Sequence, residues 1–515
     1  MSKETRTSKS IKNAQIALLF YLLNLILQFY SRKIFLEYLG SEVLGLNTTA
    51  QNLINFLNLA ELGIGAAVSY SLYKPLLENN KSVINDIISI QGWLYRRIAY
   101  IVIGAGIILM FFFPSIFSKT NLPLWYTYGS FISLSVAALL GYFVNYNQII
   151  LSADQKEYKI TQCTQITKTI KVILQIVAIY YLNNGYLWWM IIEVLMSIIT
   201  AYTIDYTVKK TYPWLKTQIS KGKILQQEYP EISTKTKQIF FHKFATFVLT
   251  QTSPLVIYAF SSLTLVAIYG NYMLIITGVT LLTNALLNSI AAGIGNLVAE
   301  GNKEHIKSVF WEVFTLKFWI ASIICFGIYI LGDSFISLWV GKEYLLPPQA
   351  FLILIFTAFI NLSRTADTFI FAYGMFQDIW APIVEATLNL GLSIILGYYY
   401  GITGILIGVL ISLIILVCIW KPYFLYRWGF KNSFTEYACK YIQLSSIVII
   451  CILVSKYIIN NYIEIDIKNY LTWGLYTIIC ISIYSLISFS ILYILNKSTK
   501  KIVQRFIRIL IKNNL

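Results

Sequence analysis

Long apolar segments recur from one end of the chain to the other, separated by short polar connections. Examples are QIALLFYLLNLILQFY, AYIVIGAGIILMFFFP and LTWGLYTIICISIYSLISFSILYIL. Each is close to the roughly 20 residues that a helix needs to cross a bilayer. We therefore predict an all-α integral membrane protein with about fourteen spanning helices, at 13–36, 44–73, 90–113, 124–151, 160–182, 186–208, 238–260, 264–297, 306–331, 349–373, 379–398, 402–425, 437–458 and 470–495.

The basic residues predict how these spans are oriented. With the N-terminus in the cytoplasm, 26 Lys and Arg residues fall in cytoplasmic segments and three on the opposite side. Cytoplasmic loops of membrane proteins carry such an excess of positive charge. Both termini are therefore predicted to be cytoplasmic, and the net charge of +17 needs no nucleic-acid partner to explain it.

Composition agrees with a membrane location. Hydrophobic residues make up 57% of the chain and charged residues 12%, which is about half of their share in soluble domains. These proportions exclude a soluble multidomain protein. The basic, amphipathic tail KSTKKIVQRFIRILIK is expected to lie on the anionic inner leaflet, in preference to a role in binding a partner.

A weak internal repeat predicts two halves. The segment LGIGAAVSYSLYKPLLENNKSVI at 62–84 resembles AGIGNLVAEGNKEHIKSVF at 292–310, with Asn58 matching Asn288. Two halves in the same orientation would enclose a substrate path between them. The predicted organisation is an N-terminal lobe of helices 1–6 at 1–215, a basic cytoplasmic linker at 216–237, a C-terminal lobe of helices 7–12 at 238–432, and helices 13 and 14 with the tail at 433–515.

Polar residues on the second predicted helix share one face. Residues spaced by three or four along a helix lie on the same side, and polar groups inside a membrane face partners or water. We expect this stripe to line a wet cavity, with one carboxylate in it and no acidic counterpart in the second half, where Ala291 aligns. Its members are Asn47, Gln51, Asn55, Asn58, Glu61, Gly65 and Ser69.

The fifth predicted helix has a second stripe, which includes two lysines. From Val172 to Leu182 there are only 11 residues, or about 16 Å of helix. Lys168 and Lys171 must therefore lie within the thickness of the membrane, where a lysine is costly and usually functional.

Further polar residues occur on four other predicted helices. Lys243 and Glu312 lie near cytoplasmic ends and can instead extend toward water. Arg364 and Asp367 are three residues apart and can simply pair. The remaining polar positions of these helices are Thr246, Thr250, Lys317, Asn361, Glu385 and Asn389.

Motifs for chemistry are missing from the sequence. It has neither a GxxxxGK phosphate loop nor an HExxH zinc motif, and no loop is large enough for a separate catalytic domain. We therefore predict a transporter and not an enzyme, with no cofactor or metal beyond a coupling proton or sodium ion. A membrane-embedded sugar polymerase or ligase is the enzyme alternative, but the longest predicted outer loop, 332–348, is short for one.

The segment RKIFLEYLGSEVLGLNTTAQNLINFLNLAELGIGAAVSYSLYKPL resembles the N-terminal region of bacterial polysaccharide flippases, the O-antigen and capsule repeat-unit translocases. These belong to the multidrug/oligosaccharidyl-lipid/polysaccharide exporter superfamily. The resemblance implies two six-helix lobes in a V around a central cavity, with two further helices outside. It also implies translocation of undecaprenyl-diphosphate-linked oligosaccharides from the cytoplasmic to the periplasmic leaflet of the bacterial inner membrane.

For such a substrate, cations would bind the diphosphate and amides the sugar hydroxyls. Expected partners are the lipid-linked oligosaccharide and membrane lipid, with a polysaccharide polymerase and glycosyltransferases as further candidates. A lipid II flippase and a cation-coupled multidrug exporter remain alternatives. The candidate substrate-binding residues are Lys168, Lys171, Lys317, Arg364, Asn55 and Asn58, and the candidate ion-coupling residues are Glu61, Asp367 and Glu385.

Overall fold

The computed structural model describes residues 6–61, 63–375, 378 and 380–513, and this part of the chain is helical with no strand. Each of the fourteen predicted spans lies on helix, which confirms the all-α fold class. Nine described helical segments are long and apolar enough to cross a membrane, and they contain ten of the predicted spans. The other four are the first, second, fifth and seventh predicted spans. The second, fifth and seventh are among the spans whose polar residues are described above.

The chain forms two compact units, Met1–Ala267 and Ile268–Leu515. These units group residues by contact, and the lobe boundaries expected from the sequence stay a prediction. The helices that begin in unit 1 are α1 (Arg6–Leu57), α2 (Ile64–Glu78), α3 (Lys81–Phe111), α4 (Phe113–Ile116), α5 (Leu124–Phe143), α6 (Ile149–Ala153), α7 (Glu157–Tyr181), α8 (Gly185–Thr211), α9 (Gly222–Glu228), α10 (Pro230–Gln251), α11 (Ser253–Phe260) and α12 (Leu263–Glu300).

Unit 2 continues from α12. Its π-helical segments Ile414–Trp420 and Leu425–Phe430 flank α17; the first lies within the predicted twelfth span and the second continues it to Phe430. Its helices are α13 (Lys303–Trp339), α14 (Pro348–Ser363), α15 (Ala366–Ala372), α16 (Trp380–Leu413), α17 (Lys421–Phe424), α18 (Phe434–Tyr462), α19 (Tyr470–Leu495) and α20 (Lys497–Asn513).

Two glycines make turns where the sequence predicts short loops. Gly40 (φ 84°) separates the first predicted span from the first part of the second within α1, and Gly401 (φ 57°) separates the eleventh from the first half of the twelfth within α16. Glycine adopts these positive φ values without the steric penalty of a side chain. The connection between the two spans is therefore a single residue at each place, shorter than the sequence indicates.

The C-terminal helix α20 packs against the start of α13. Arg505 Nη2 lies 3.1 Å from Glu312 Oε2, and Lys501 Nζ donates to Ser308 Oγ at 2.9 Å. The ion pair with Arg505 neutralises the Glu312 carboxylate. Because Glu312 is only 6% exposed, its side chain does not extend into water. The tail is thus the amphipathic helix that the sequence predicts, and its position on a lipid surface stays a prediction.

Within unit 1, the second predicted span packs closely against the start of α12. A Cβ atom on Gly45 would lie 1.9 Å from the carbonyl oxygen of Leu263. Nearby, the hydroxyl of Ser41 donates to Thr264 Oγ1 at 3.4 Å. Only glycine allows the two backbones to approach this closely.

We expect Gly45→Ala to destabilise the protein, because the added methyl group forces α1 and α12 apart. Overpacking of this kind costs typically about 1–3 kcal/mol. The measurement is thermal unfolding of the purified protein in detergent. The matched control is Gly104→Ala on α3, where a Cβ atom meets nothing within 4 Å. Equal unfolding temperatures for the two variants would contradict the close packing.

Candidate functional site

A cavity of about 630 Å³ lies between α5, α7 and α8 in unit 1. It brings together both lysines of the predicted fifth span, and its walls are otherwise rich in hydroxyl groups. Its charged and polar lining residues are Asn145, Thr164, Thr167, Lys168, Lys171, Glu193, Ser197 and Thr200.

The two lysines have different electrostatic surroundings. Lys171 Nζ lies 2.6 Å from Glu193 Oε1, and the other oxygen of Glu193 accepts from Gln175 Nε2 at 2.9 Å. Glu193 is only 5% exposed, whereas the Lys171 side chain is 24% exposed, so the carboxylate is buried and the ammonium is partly accessible. Lys168 forms no hydrogen bond or ion pair with the described residues, so it carries the uncompensated positive charge of the cavity.

The hydroxyl groups leave lone pairs free toward the cavity. Thr164 and Thr167 donate to carbonyl groups of their own helix, and Thr200 lies 2.8 Å from Thr167. Each hydroxyl oxygen can still accept a hydrogen bond. The Oδ1 atom of Asn145 is buried and has no partner within the described residues. The cavity therefore offers a cation beside several acceptors, which suits a phosphate attached to a polar group that can donate.

Glu61 lies at the end of a 3₁₀ segment, Asn58–Glu61, that interrupts the second predicted span. Tyr95 donates to its Oε1 at 2.7 Å, and the hydroxyl of Tyr142 lies 3.0 Å from its Oε2. The same Tyr142 hydroxyl is 2.9 Å from Asn58 Oδ1, so one proton is shared between two acceptors. Glu61 forms no ion pair within the described residues and is held by hydroxyls alone.

The stretch around Glu61 is also in contact with α10. A Cβ atom on Gly63 would lie 2.7 Å from the carbonyl oxygen of Thr236. One turn before the 3₁₀ segment, Asn55 Nδ2 donates to Gln251 Oε1 at 3.0 Å. Movement of α10 would therefore change the surroundings of both predicted residues.

The predicted stripe is divided among different partners. Asn47 accepts from Ser130 at 2.6 Å and from Tyr186 at 2.7 Å, inside the packing of α1, α5 and α8. Asn55 faces α10, whereas Asn58 and Glu61 face α3 and α5. The sequence predicts one wet cavity along this face, but in unit 1 these side chains serve three separate contacts, because neighbouring helices cross the stripe at different heights.

The candidate residues of the second half gather in unit 2. Arg364 pairs with Asp367, and its Nη2 lies 4.0 Å from Glu385 Oε2. Lys421 Nζ lies 2.5 Å from Asp367 Oδ1, and Lys317 Nζ donates to the Arg364 carbonyl at 3.1 Å. An adjoining small cavity of about 20 Å³ is lined in part by Arg364, Asp367 and Lys421.

This cluster contains three cations and two carboxylates. The pairing of Arg364 with Asp367, which the sequence left open, is confirmed, and Lys421 adds a second cation on Asp367. Glu385 is 2% exposed, and its Oε1 has no partner within the described residues. Asn389, one turn further along, donates to Ser412 at 3.2 Å.

Sequence reasoning missed four members of these sites. Glu193 is a lone carboxylate in an apolar segment, which is the same signal that singled out Glu61. Lys421 was counted only as a cytoplasmic basic residue, and Tyr95 and Tyr142 have no distinguishing signal among 38 tyrosines. The side chains of Lys243, Thr246, Thr250, Asn288 and Ala291 lie outside the described residues.

Comparison with known proteins identifies the fold. No protein-family model matches the sequence, and no curated protein matches it. Among solved structures, the lipid II flippase MurJ in an inward closed conformation superposes with a TM-score of 0.65 at 15% identity, over 93% of this chain and 98% of that chain. An inward-facing multidrug resistance MATE family transporter of the MOP superfamily gives a TM-score of 0.56 at 14% identity, over 79% of this chain and 96% of that one. This likeness shows the transporter fold that the sequence resemblance implied.

We expect Glu193→Gln to destabilise unit 1, because it leaves the Lys171 ammonium without its counter-charge. Leaving a partly buried charged donor without its partner costs about 1–3 kcal/mol. The double variant Lys171→Gln with Glu193→Gln should recover much of the loss, since neither charge remains. Thermal unfolding of the purified wild type, single and double variants gives the coupling energy of the pair. Additive losses would show that the two side chains do not depend on each other.

Proposed function

We propose that this chain is a flippase that moves undecaprenyl-diphosphate-linked oligosaccharide repeat units from the cytoplasmic to the periplasmic leaflet for surface polysaccharide synthesis. The observation that carries the proposal is the Lys168 cavity, in which an ammonium with no partner among the described residues lies among hydroxyl groups in a predicted membrane span. Unpaired charges at such a depth mark substrate or ion pathways. The fold shared with a lipid II flippase supports the same class of activity.

A diphosphate in the substrate would explain why cationic side chains lie at the candidate sites of both units. An ammonium is a compact point charge that can follow a moving phosphate, whereas the guanidinium of Arg364 can bind phosphate oxygens in a bidentate manner. Lys168 and Lys171 would contact the diphosphate in unit 1, and Lys317 and Arg364 in unit 2. Asn55 and Asn58 would contact sugar hydroxyls when their present partners separate.

Transport by alternating access would be coupled to a proton or a sodium ion. Glu61 is the best placed of the three candidate carboxylates, because hydroxyl donors hold it and no cation of the described residues pairs with it. Glu385 has one unpartnered oxygen. Asp367 is already paired with Arg364 and Lys421, so we assign it to keeping that cluster in place.

The alternatives differ in substrate. A lipid II flippase would use the same diphosphate chemistry, and the likeness to such a flippase favours it as the second candidate. A multidrug exporter with cationic substrates would be repelled by Lys168. We further propose that the protein lies in the bacterial inner membrane and is not an enzyme. It would work alongside a polymerase and glycosyltransferases.

We expect Lys168→Ala combined with Lys171→Ala to reduce surface polysaccharide at least tenfold in a deletion strain, with lipid-linked repeat units accumulating inside. The measurement is surface glycan analysis at matched protein levels. The matched control is Lys209→Ala, which removes an exposed lysine of unit 1 that pairs with Asp205 at 2.6 Å.

Full complementation by the double variant would refute the cationic site. Cell lysis on depletion, with surface polysaccharide intact, would favour the lipid II flippase. A change in drug sensitivity alone would favour the multidrug exporter.

A further inference from the structure

A groove opens in unit 2 where the last π-helical segment leads into α18. It encloses about 1210 Å³ of space and lies between the predicted twelfth and thirteenth spans. The distribution of basic residues predicts that this connection is cytoplasmic. The lining residues that matter here are Tyr423, Arg427, Trp428, Lys431, Ser433 and Thr435.

The groove collects positive charge that nothing in the described residues neutralises. Arg427 and Lys431 are exposed and form no hydrogen bond or ion pair through their side chains there. None of the described residues that line the groove is an Asp or Glu. Nearby cations differ, because Lys307 and Lys440 both pair with Glu436, at 2.5 and 2.9 Å. The unpaired charge is therefore concentrated in the groove.

Aromatic rings form one wall beside these cations. Trp428 is 49% exposed and Tyr423 37%, and their rings meet edge to face at 5.9 Å between centroids. Half-exposed Trp and Tyr side chains are typical of the level at which lipid headgroups meet hydrocarbon. Further along α18, Ile442 and Ile449 are 64% and 56% exposed, which gives an apolar surface next to the groove.

The turn into α18 brings two hydroxyl groups to the same end of the groove. The helical segment ends at Lys431, whose φ is +57°, and the chain then turns into α18. Ser433 caps that helix by accepting from the backbone N–H of Thr435 at 3.2 Å, and the two hydroxyls are 3.0 Å apart. The groove thus combines two cations and two hydroxyls at one end with an apolar helix surface at the other.

We propose that this groove binds an anionic glycerophospholipid of the cytoplasmic leaflet. Arg427 and Lys431 hold its phosphate, Tyr423 and Trp428 lie against the glycerol region, and the acyl chains follow α18. A soluble phosphate would use the cations but not the aromatic wall or the exposed isoleucines. This site is separate from the Lys168 cavity, so the inference does not depend on the proposed transport activity.

The test uses the full-length purified protein and native mass spectrometry to measure binding of phosphatidylglycerol. The variant is Arg427→Gln with Lys431→Asn, in which asparagine tolerates the positive φ at position 431. We expect binding of the tightest phosphatidylglycerol to weaken roughly thirtyfold, because each cation near a membrane surface contributes about a fivefold preference for anionic lipid. Phosphatidylcholine binding should not change.

The matched control is Lys216→Gln with Lys223→Gln, which removes the same charge from exposed positions of unit 1. It should alter phosphatidylglycerol binding by less than about twofold if the groove is a specific site. The single variant Arg427→Gln, at an exposed position, serves if the double variant does not fold, and about a fivefold loss is expected.

Three results would overturn the proposal. Unchanged binding by the groove variants is one, and an equal loss in the control is another, since that would reflect net charge alone. Displacement of the lipid by inorganic pyrophosphate at similar concentration would be the third, because it would identify a site for soluble diphosphate.

Discussion

A charge inside a bilayer is stable only where an opposite charge or a set of hydrogen bonds compensates it, and this constraint accounts for the interior of both units. Lys171 has Glu193, and Asp367 has both Arg364 and Lys421. Glu312 has Arg505, which the terminal helix supplies. Against this background, Lys168 and Glu61 differ from their neighbours, because neither has an opposite charge within the described residues. The cost of burying these two charges without an opposite charge is the physical basis for assigning a function to Lys168 and Glu61.

The sequence predicted the helices well, because a backbone in hydrocarbon must satisfy its own hydrogen bonds and long apolar segments have few other choices. The depth of Lys168 and Lys171 within the membrane, which the sequence also predicts, stays a prediction. The sequence could not predict partners. The spacing along one helix gives a face but not the residue that meets it, so Glu193 on α8 and the tyrosines of α3 and α5 went unnoticed. The breaks at Gly40 and Gly401 were predicted as longer connections, because hydropathy cannot show that a single residue with positive φ makes the whole turn.

The two candidate sites would place different demands on a substrate phosphate. In unit 1, one unpaired ammonium among hydroxyl acceptors can hold a phosphate without fixing its orientation. In unit 2, Arg364 and Lys421 are already engaged with Asp367, so a substrate phosphate would have to compete with a carboxylate. Weak, exchangeable binding suits a carrier that must release what it binds. Glu61 is next in space to the contact between Gly63 and α10, which places a titratable group beside a helix that could move.

The proposal depends on Lys168, whose ammonium has no partner within the described residues and would bind a lipid-linked diphosphate as it crosses the membrane. Translocation of an undecaprenyl-diphosphate-linked oligosaccharide can be measured in proteoliposomes under an imposed ion gradient. The quantity recorded is the fraction of the oligosaccharide that an external lectin can bind. We expect the wild-type protein to expose the oligosaccharide to the lectin rapidly. With Lys168→Ala, we expect the rate of exposure to be little higher than in protein-free liposomes. Equal translocation by both proteins, or none by the wild type with the gradient in place, would contradict it.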